Sequence, residues 1–191
     1  AAKKEFAKNG LGGARVDVIA EKARANKRMI YHYFGDKDAL YLAVLEDAYR
    51  HIRHTERRLD LTRKAPSEGL RELALFTWHY FLDHPEFLSI LATENLNKAR
   101  YLRQSATIAA MHSNFISELE DVLRRGRDTG EFRDGLDPID VYLTIASLGA
   151  FYLSNRFTLS TIFQRDLTDP AELERWGQHI VDTLLAAVRP V

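Results

Sequence analysis

Cysteine is absent from the 191-residue chain, and all thiol chemistry is absent with it. Disulfide bridges, cysteine-ligated zinc, iron–sulfur clusters and a thiol nucleophile are excluded. A chain without disulfides fits a reducing compartment, so we expect a cytoplasmic protein. Long apolar runs are also missing, because the most apolar stretch, residues 142–153, is shorter than the roughly 18 residues of a membrane span. No signal peptide is visible. Residues 1–8 read as helix interior, so we expect further residues before Ala1.

The sequence signatures of common enzymes are missing as well. None of the seven histidines stands in an H-E-x-x-H frame, and there is no G-x-S-x-G, Walker or G-x-G-x-x-G motif. His51 and His54 share a helix face, but the arginines around them disfavour a metal ion. Asp134, Asp137 and Asp140 lack the spacing of a calcium loop and suit a helix N-terminus instead. We therefore expect no enzyme activity, no catalytic residue, no metal site and no cofactor.

Strand patterns are absent, and the apolar residues recur at helical spacing throughout, so we predict an all-α protein of about nine helices. The chain is neutral overall, but its charge is unevenly distributed. Residues 1–64 hold 15 Lys and Arg against 9 Asp and Glu, a net charge of +6, and the remainder carries −6. A basic segment on a neutral chain suggests contact with a polyanion, although chance clustering would produce the same numbers.

Two short helices are predicted within the basic segment. Residues 16–23 carry apolar side chains at positions i, i+3, i+4 and i+7. Residues 27–34 form the second helix, which begins after Asn26, a good N-cap, and ends near Gly35. Asp36 is expected to cap the long helix that follows. Two short helices joined by a three- to four-residue turn are typical of a helix-turn-helix, whose second helix enters the major groove of DNA.

The N-terminal end of the second helix supplies side chains that suit base edges. Lys27 and Arg28 can donate hydrogen bonds to guanine, and Met29 can contact a thymine methyl group. Four neighbouring residues suit phosphate groups, and Lys37 in addition starts a helix whose N-terminus favours anions. These phosphate candidates are Arg15, His32, Tyr33 and Lys37.

The pattern around this pair is more specific than a generic helix-turn-helix. It resembles the DNA-binding domain of the TetR/AcrR family of bacterial transcriptional repressors over about 35 residues, which read Phe6-x3-Gly10-x5-Val16-x2-Ile19-Ala20-x2-Ala23 and Ile30-Tyr31-His32-Tyr33-Phe34-x2-Lys37-x2-Leu40. The resemblance implies that Tyr31 joins Lys27, Arg28 and Met29 as a base-facing residue. It also implies that the apolar anchors form a small core, namely Phe6, Val16, Ile19, Ala20, Ala23, Ile30, Phe34 and Leu40.

The chain departs from the family pattern at the turn between the two helices. Arg24 stands where the family usually has glycine, so Arg24 must adopt a left-handed conformation at a cost of about 1–2 kcal/mol, or the turn must differ. Asn26 stands where the family usually has serine or threonine. Arg28 replaces a residue that is often small, which favours guanine in the recognised DNA.

We predict two domains, a helix-turn-helix DNA-binding domain over residues 1–41 and a larger helical effector-binding and dimerisation domain over residues 42–191. One short helix reads few bases, so specificity calls for two half-sites and a homodimer. The helices predicted from Pro138 to about Arg156 and from Pro170 to Val188 carry small residues and an apolar stripe, and the resemblance implies a four-helix bundle of such helices. The alternative is that both stripes serve the core of one chain. The predicted interface residues are Ala146, Gly149, Leu173, Trp176, Ile180 and Leu184.

Polar and aromatic groups also fall within apolar helix faces of the second domain, as in a small-molecule site. The resemblance implies an effector pocket there. Its occupation changes the separation of two reading heads, the helix-turn-helix of residues 16–34 in each chain of the dimer, and releases DNA. The alternative is that these side chains belong to the core. The predicted pocket residues are Trp78, Tyr80, Asn95, Met111, Phe115, Tyr152, Asn155 and Arg156.

The sequence therefore predicts a DNA-binding transcriptional regulator, and most simply a repressor that binds a palindromic operator as a homodimer. Its expected partners are double-stranded DNA, a second copy of the chain and a small-molecule effector, and no membrane. The alternative is an all-helical ligand-binding or protein-docking module in which the helix-turn-helix is only structural. Binding to DNA that falls steeply with salt distinguishes the first from the second.

Overall fold

The structure is a computed structural model that describes residues 1–190. Nine α-helices and no strand occur in this part of the chain, which confirms the all-α prediction. None of these helices combines the length and the apolar character needed to cross a membrane. The helices are α1 (Ala2–Gly13), α2 (Val16–Ala23), α3 (Lys27–Phe34), α4 (Lys37–Glu56), α5 (Pro66–Asp83), α6 (Pro85–Leu96), α7 (Ala106–Asp128), α8 (Pro138–Phe163) and α9 (Pro170–Val188).

Most helix boundaries follow from local chemistry. The side chains of Asn26, Asp137 and Asp169 accept backbone hydrogen bonds at the starts of α3, α8 and α9, as N-caps do. Proline occupies the first position of α5, α6, α8 and α9. A backbone N–H at that position has no acceptor within the helix, so proline, which lacks the N–H, loses no hydrogen bond there. Gly35, with φ of 86°, ends α3 in a conformation that residues with a Cβ rarely adopt.

Contacts divide the chain into two compact units. The first comprises Ala1–Arg53 and His84–His112, and the second comprises His54–Asp83 and the chain from Ser113 onward. In the first unit α1 packs against α6 and α2, and α2 packs against α3. Its core contains the fully buried side chains of Phe6 and Tyr41, whose rings meet edge to face with centroids 5.2 Å apart.

The second unit is a helical bundle built around α5. Helix α5 packs against α8 and α9, which also contact each other. The indole of Trp78 lies at the centre, with Gly177 close above it, so that a Cβ at position 177 would stand 2.8 Å from the Trp78 Cδ1 atom. Tyr152 meets Trp78 edge to face and donates its hydroxyl hydrogen to the carbonyl oxygen of Leu167 at 3.0 Å. This close packing makes α5, α8 and α9 the core of the unit.

Two helix ends differ from the sequence-based expectation. Helix α8 was expected to end near Arg156, but it continues to Phe163, where Gln164 adopts a left-handed conformation with φ of 50°. No glycine or proline interrupts residues 157–163, so nothing in the local sequence stops the helix earlier. Helix α4 was expected to run to about Leu61, but it ends at Glu56 and gives way to a short 3-10 helix, Arg57–Leu59.

Candidate nucleic-acid interface

The turn between α2 and α3 has the first of the two conformations that the sequence left open. Arg24 lies in the left-handed region, with φ of 52° and ψ of 38°, so the chain accepts this strain without glycine. The backbone N–H of Ala25 donates to the Ala20 carbonyl oxygen at 2.9 Å and closes the end of α2. The Asn26 side chain accepts a hydrogen bond from the Arg28 backbone N–H at 2.8 Å. These bonds fix the direction in which α3 leaves the turn.

Helix α3 is buried along only one narrow face. Ile30 is the single buried residue of its eight, and the other side chains are exposed. At about 100° per residue, Arg28 and His32 point most directly away from Ile30 and Phe34. Tyr31 and Met29 lie on either side of this line, and Lys27 and Tyr33 lie further round, at the borders of the buried face. All four predicted base-facing residues are therefore exposed to solvent.

The predicted phosphate contacts lie at the edges of α3 and at the starts of α2 and α4. Arg15 is the exposed N-cap of α2. Tyr33 is 71% exposed, and its ring meets the ring of His32 edge to face. His32 also shares the central line of α3 with Arg28, so it lies beside a base-facing candidate. Lys37 is half-buried and donates from Nζ to the Gly12 carbonyl oxygen at 3.3 Å.

Lys27 and Arg28 differ in their electrostatic surroundings. The Nζ atom of Lys27 forms an ion pair with Oδ1 of Asp17 on α2 at 2.8 Å, and it lies 5.9 Å from the centre of the Tyr31 ring. The hydrogen bond to Asp17 raises the pKa of Lys27, and the hydrogen bond from Lys27 lowers the pKa of Asp17. The guanidinium of Arg28 is exposed and makes no ion pair within residues 1–190.

A buried carboxylate that the sequence reading missed supports the two short helices. Glu5 is almost fully buried, and its Oε2 accepts a hydrogen bond from Nζ of Lys22 on α2 at 2.9 Å. Its Oε1 accepts hydrogen bonds from Nδ2 of Asn9 at 2.8 Å and from the backbone N–H of Arg15 at 3.5 Å. The Lys22 ammonium group is the main cause of a lowered pKa for Glu5. A glutamate at an otherwise apolar helix position was the only available signal.

The small core predicted from the apolar anchors is formed in part. Phe6, Val16, Ile19, Ala20, Ile30 and Leu40 are buried. Ala23 and Phe34 are exposed, so their assignment to the core was wrong. Both line an open, mostly apolar groove of about 1030 Å³ together with Ile19, Ile30 and Leu40. Their side chains face this groove instead of packed neighbours.

The predicted effector residues are divided between the two units, with Asn95 and Met111 in the first and the other six in the second. Trp78, Tyr80, Phe115 and Tyr152 are buried in the second unit, where Phe115 meets Tyr142 edge to face. The other four bond to their own helices or lie half-exposed. Asn95 and Asn155 donate to the carbonyl oxygens four residues earlier, Arg156 donates to the Leu153 carbonyl oxygen, and Met111 is half-exposed. Three cavities of the described residues are lined by none of the eight, and the effector pocket stays a prediction.

The predicted interface residues are divided between the core and the surface of the second unit. Gly149, Ile180 and Leu184 are buried within the unit, where Gly149 packs against the Phe81 ring. Ala146, Leu173 and Trp176 are half-buried, and Nε1 of Trp176 donates to the Leu148 carbonyl oxygen at 3.2 Å. The buried members therefore serve the core of one chain. The large exposed apolar side chains of this region lie elsewhere on α8, at Ile139, Leu143, Phe151, Phe157, Ile162 and Phe163.

No metal-binding group of three or more histidine, aspartate or glutamate residues occurs in residues 1–190. The arrangement that the structure offers is a basic, solvent-exposed helix held by a rigid turn. A short helix with exposed cationic and aromatic side chains, presented by a second helix, defines the class of helix-turn-helix DNA-binding proteins.

Comparisons with known proteins extend this assignment to a family. The model of bacterial regulatory proteins of the tetR family matches residues 1–44, and that of the tetracyclin repressor-like C-terminal domain matches residues 66–184. The HTH-type transcriptional repressor NicS of Pseudomonas putida is 41% identical over 189 residues, which cover 99% of this chain and 89% of that protein. The HTH-type transcriptional repressor SCO4008 of Streptomyces coelicolor is 31% identical over 78% of this chain and 72% of its own. The chain belongs to the TetR family of helix-turn-helix transcriptional regulators, as the sequence resemblance indicated.

Solved structures agree with this membership. The transcriptional regulator SCO4942 from Streptomyces coelicolor superposes with a TM-score of 0.73 and 25% identity, covering 99% of this chain and 95% of that one. The ketosteroid transcriptional regulator KstR2 of Mycobacterium tuberculosis gives a TM-score of 0.71 at 21% identity, over 100% and 92% of the two chains. The second likeness concerns the fold alone.

Proposed function

We propose that this chain is a transcriptional repressor that acts in the cytoplasm, binds a palindromic operator as a homodimer and is released by a small-molecule effector. One observation supports this most strongly. Helix α3 exposes Lys27, Arg28, Met29 and Tyr31 while only Ile30 is buried. A cationic helix that leaves most of its surface to solvent suits the major groove, where arginine and lysine recognise guanine. Repression requires only that the bound protein block a promoter.

The proposed homodimer uses the exposed face of α8. At about 100° per residue, Ile139, Leu143, Ala146, Ala150 and Phe157 form one stripe along α8, on the face next to its buried residues. Leu143 is 55% exposed and Phe157 is 66% exposed. The outward face of α9 carries polar residues such as Glu174, Gln178 and Asp182. A long apolar stripe on one chain suits a second copy, because a twofold-symmetric interface buries the same patch of both subunits.

Family membership supports the proposed release by an effector, and so does the size of the chain outside the reading head. The eight predicted pocket residues remain the starting hypothesis for its site. A fold that binds DNA without a ligand and loses affinity when the ligand binds must have two conformations that the ligand distinguishes. The chemical nature of the effector is left open.

Selection of binding sites from randomised duplex DNA tests the proposed function, with the full-length protein and with anisotropy titrations at two salt concentrations. We expect an inverted repeat and an affinity that falls steeply with salt, because bound phosphates release counterions. Mass spectrometry of the denatured protein checks whether an effector was carried through purification. A folded, effector-free dimer that enriches no sequence and is not retained on DNA at physiological salt would contradict the proposal. That outcome would favour a helical module without specific DNA binding.

A further inference from the structure

One ion pair links the two helices of the reading head. Asp17 lies in the first turn of α2, and Lys27 is the first residue of α3. The Asp17 Oδ1 and Lys27 Nζ atoms are 2.8 Å apart, and the two side chains are 57% and 46% exposed. The same ammonium group lies over the Tyr31 ring. Lys27 therefore stands at the DNA-facing end of α3 with its charge already in contact with a carboxylate.

The position of Lys27 needs such a partner. A helix N-terminus carries partial positive charge, so acidic side chains stabilise it and basic ones do not. The first turn of α3 contains no acidic residue and begins with two cations, Lys27 and Arg28. Asp17 supplies from α2 the negative charge that α3 itself lacks. This geometry positions the Lys27 side chain before any DNA is bound.

We propose that Asp17 is a specificity-determining residue of the DNA-binding surface, which positions Lys27 for base recognition and restrains its binding to phosphates of other sequences. The inference rests on the proposed function. A lysine ammonium has three donors, so Lys27 can keep its ion pair with Asp17 and still donate a hydrogen bond to a neutral acceptor on a base. A phosphate that approaches the same ammonium also meets the negative charge of Asp17. Since phosphate contacts carry no sequence information, this repulsion weakens non-specific binding more than operator binding.

The test compares two variants that each remove one negative charge from α2. Asp17→Asn removes the carboxylate that pairs with Lys27. Glu21→Gln is the matched control, because Glu21 lies one turn further along the same exposed face and forms no ion pair in the described part of the chain. Anisotropy titrations at several salt concentrations give the dissociation constants for the selected operator and for a scrambled duplex of equal length and composition.

We expect Asp17→Asn to bind the scrambled duplex about three- to fivefold more tightly, the size of a good exposed ion pair. Operator affinity should change less. The dissociation constant for the scrambled duplex divided by that for the operator should therefore fall by about the same factor. The salt dependence on the scrambled duplex should become steeper, by up to about one released ion. Glu21→Gln should shift both duplexes together and keep the ratio. An Asp17→Asn variant that changes the ratio no more than Glu21→Gln would overturn the inference.

Two further variants separate positioning from folding. Asp17→Glu keeps the charge, so we expect this variant to retain the preference for the operator. A variant Asp17→Glu that lost this preference would contradict the inference. In a Lys27→Gln background, Asp17→Asn should no longer change the ratio, because the effect passes through Lys27. If Asp17 only stabilised the fold, its removal would lower the unfolding midpoint and weaken both duplexes alike. A wild-type protein that prefers no duplex would instead overturn the proposed function itself.

Discussion

Two neighbouring cations at the start of α3 differ in their availability. Lys27 is paired with Asp17, whereas the Arg28 side chain is exposed and its guanidinium has no ion-pair partner in residues 1–190. Arginine presents a planar set of donors that matches the O6 and N7 atoms of guanine. Arg28 also lies on the line of α3 that points most directly away from the buried Ile30. It is therefore the side chain on which sequence recognition should depend most.

We expect Arg28→Ala to relax sequence preference at one position of each half-site, by about 1–3 kcal/mol. Binding selection with the variant measures this as a lost base preference, read position by position. Lys37→Ala is the control, because a phosphate contact should weaken binding to all sequences and flatten the salt dependence. If Arg28→Ala left the preference unchanged at every position, the assignment of α3 as the reading helix would be wrong.

Arg24 holds a backbone conformation that suits glycine better. With φ of 52°, its Cβ crowds the following carbonyl oxygen, at a cost of about 1–2 kcal/mol. Arg24→Gly removes this strain but increases the entropy of the unfolded chain, so we expect a net gain of up to about 1 kcal/mol in the free energy of unfolding. Urea denaturation measures it. Arg24→Ala, which keeps the Cβ, should show no such gain, and an equal gain in both variants would refute the strain argument.

At the scale of helices, the reading head depends on contacts that reach back to α1. Glu5 on α1 accepts hydrogen bonds from Lys22 on α2 and from the backbone N–H of Arg15, at the start of α2. The carboxylate therefore joins α1 to both ends of the second helix. Because α3 continues from α2 through a fixed turn, the placement of α3 depends on this buried group.

The Glu5 network makes the stability of the reading head depend on pH. The pKa of Glu5 is lower in the folded chain than its ordinary value of 4.5, mainly through the hydrogen bond from Lys22. Its contribution is therefore present above that ordinary value and is lost as the pH falls through the folded pKa. We expect Glu5→Gln to lower the urea midpoint at neutral pH and to lose less stability than wild type on acidification. The urea midpoints of wild type and Glu5→Gln should thus converge between pH 7 and pH 3. A difference between the two midpoints that stayed constant over this range would contradict the role of Glu5.

Helix α8 combines a buried face with an exposed apolar one. Val141, Ile145 and Leu153 are buried in the second unit, while Leu143 and Phe157 on the neighbouring face are exposed. Apolar side chains around most of its circumference leave no amphipathic pattern from which the buried face can be read. An exposed stripe of this length on a surface helix usually marks a site of association. The proposed dimer gives α8 a partner on its second face.

For the whole molecule, we expect Leu143→Asp to dissociate the dimer while the chain stays folded. A carboxylate placed in an apolar interface should raise the dimer dissociation constant by at least about 30-fold. This factor corresponds to the loss of about 2 kcal/mol of binding free energy, as for a central interface side chain. Sedimentation equilibrium measures it, and operator affinity should fall in parallel because two half-sites are no longer held together. Leu96→Asp is the matched control, since Leu96 is 85% exposed and belongs to α6 and not to α8. A dimer of unchanged strength would show that α8 is not the interface.

Much of the reading head could be predicted because its boundaries are local. Asn26 and Asp36 accept hydrogen bonds from nearby backbone N–H groups, and Gly35 supplies a positive φ. Arg24 has the left-handed conformation that was one of the two expected alternatives for the turn. The predicted core was wrong at Phe34 because helical spacing gives the direction of a side chain and not the neighbours it meets.

Local sequence patterns were enough to predict the helical class and the bounds of α2 and α3, because caps, glycines and apolar spacing act over a few residues. The family followed from the resemblance of about 35 residues to the TetR/AcrR pattern. Packing between helices decides which face of α8 is buried and which apolar stripe stays exposed, since apolar residues line both. It also decided that Gly149, Ile180 and Leu184 serve the core of one chain. The contact between Asp17 and Lys27 also depends on how the helices pack. Residues ten positions apart meet only when the turn brings α2 and α3 together, and no local pattern encodes that distance.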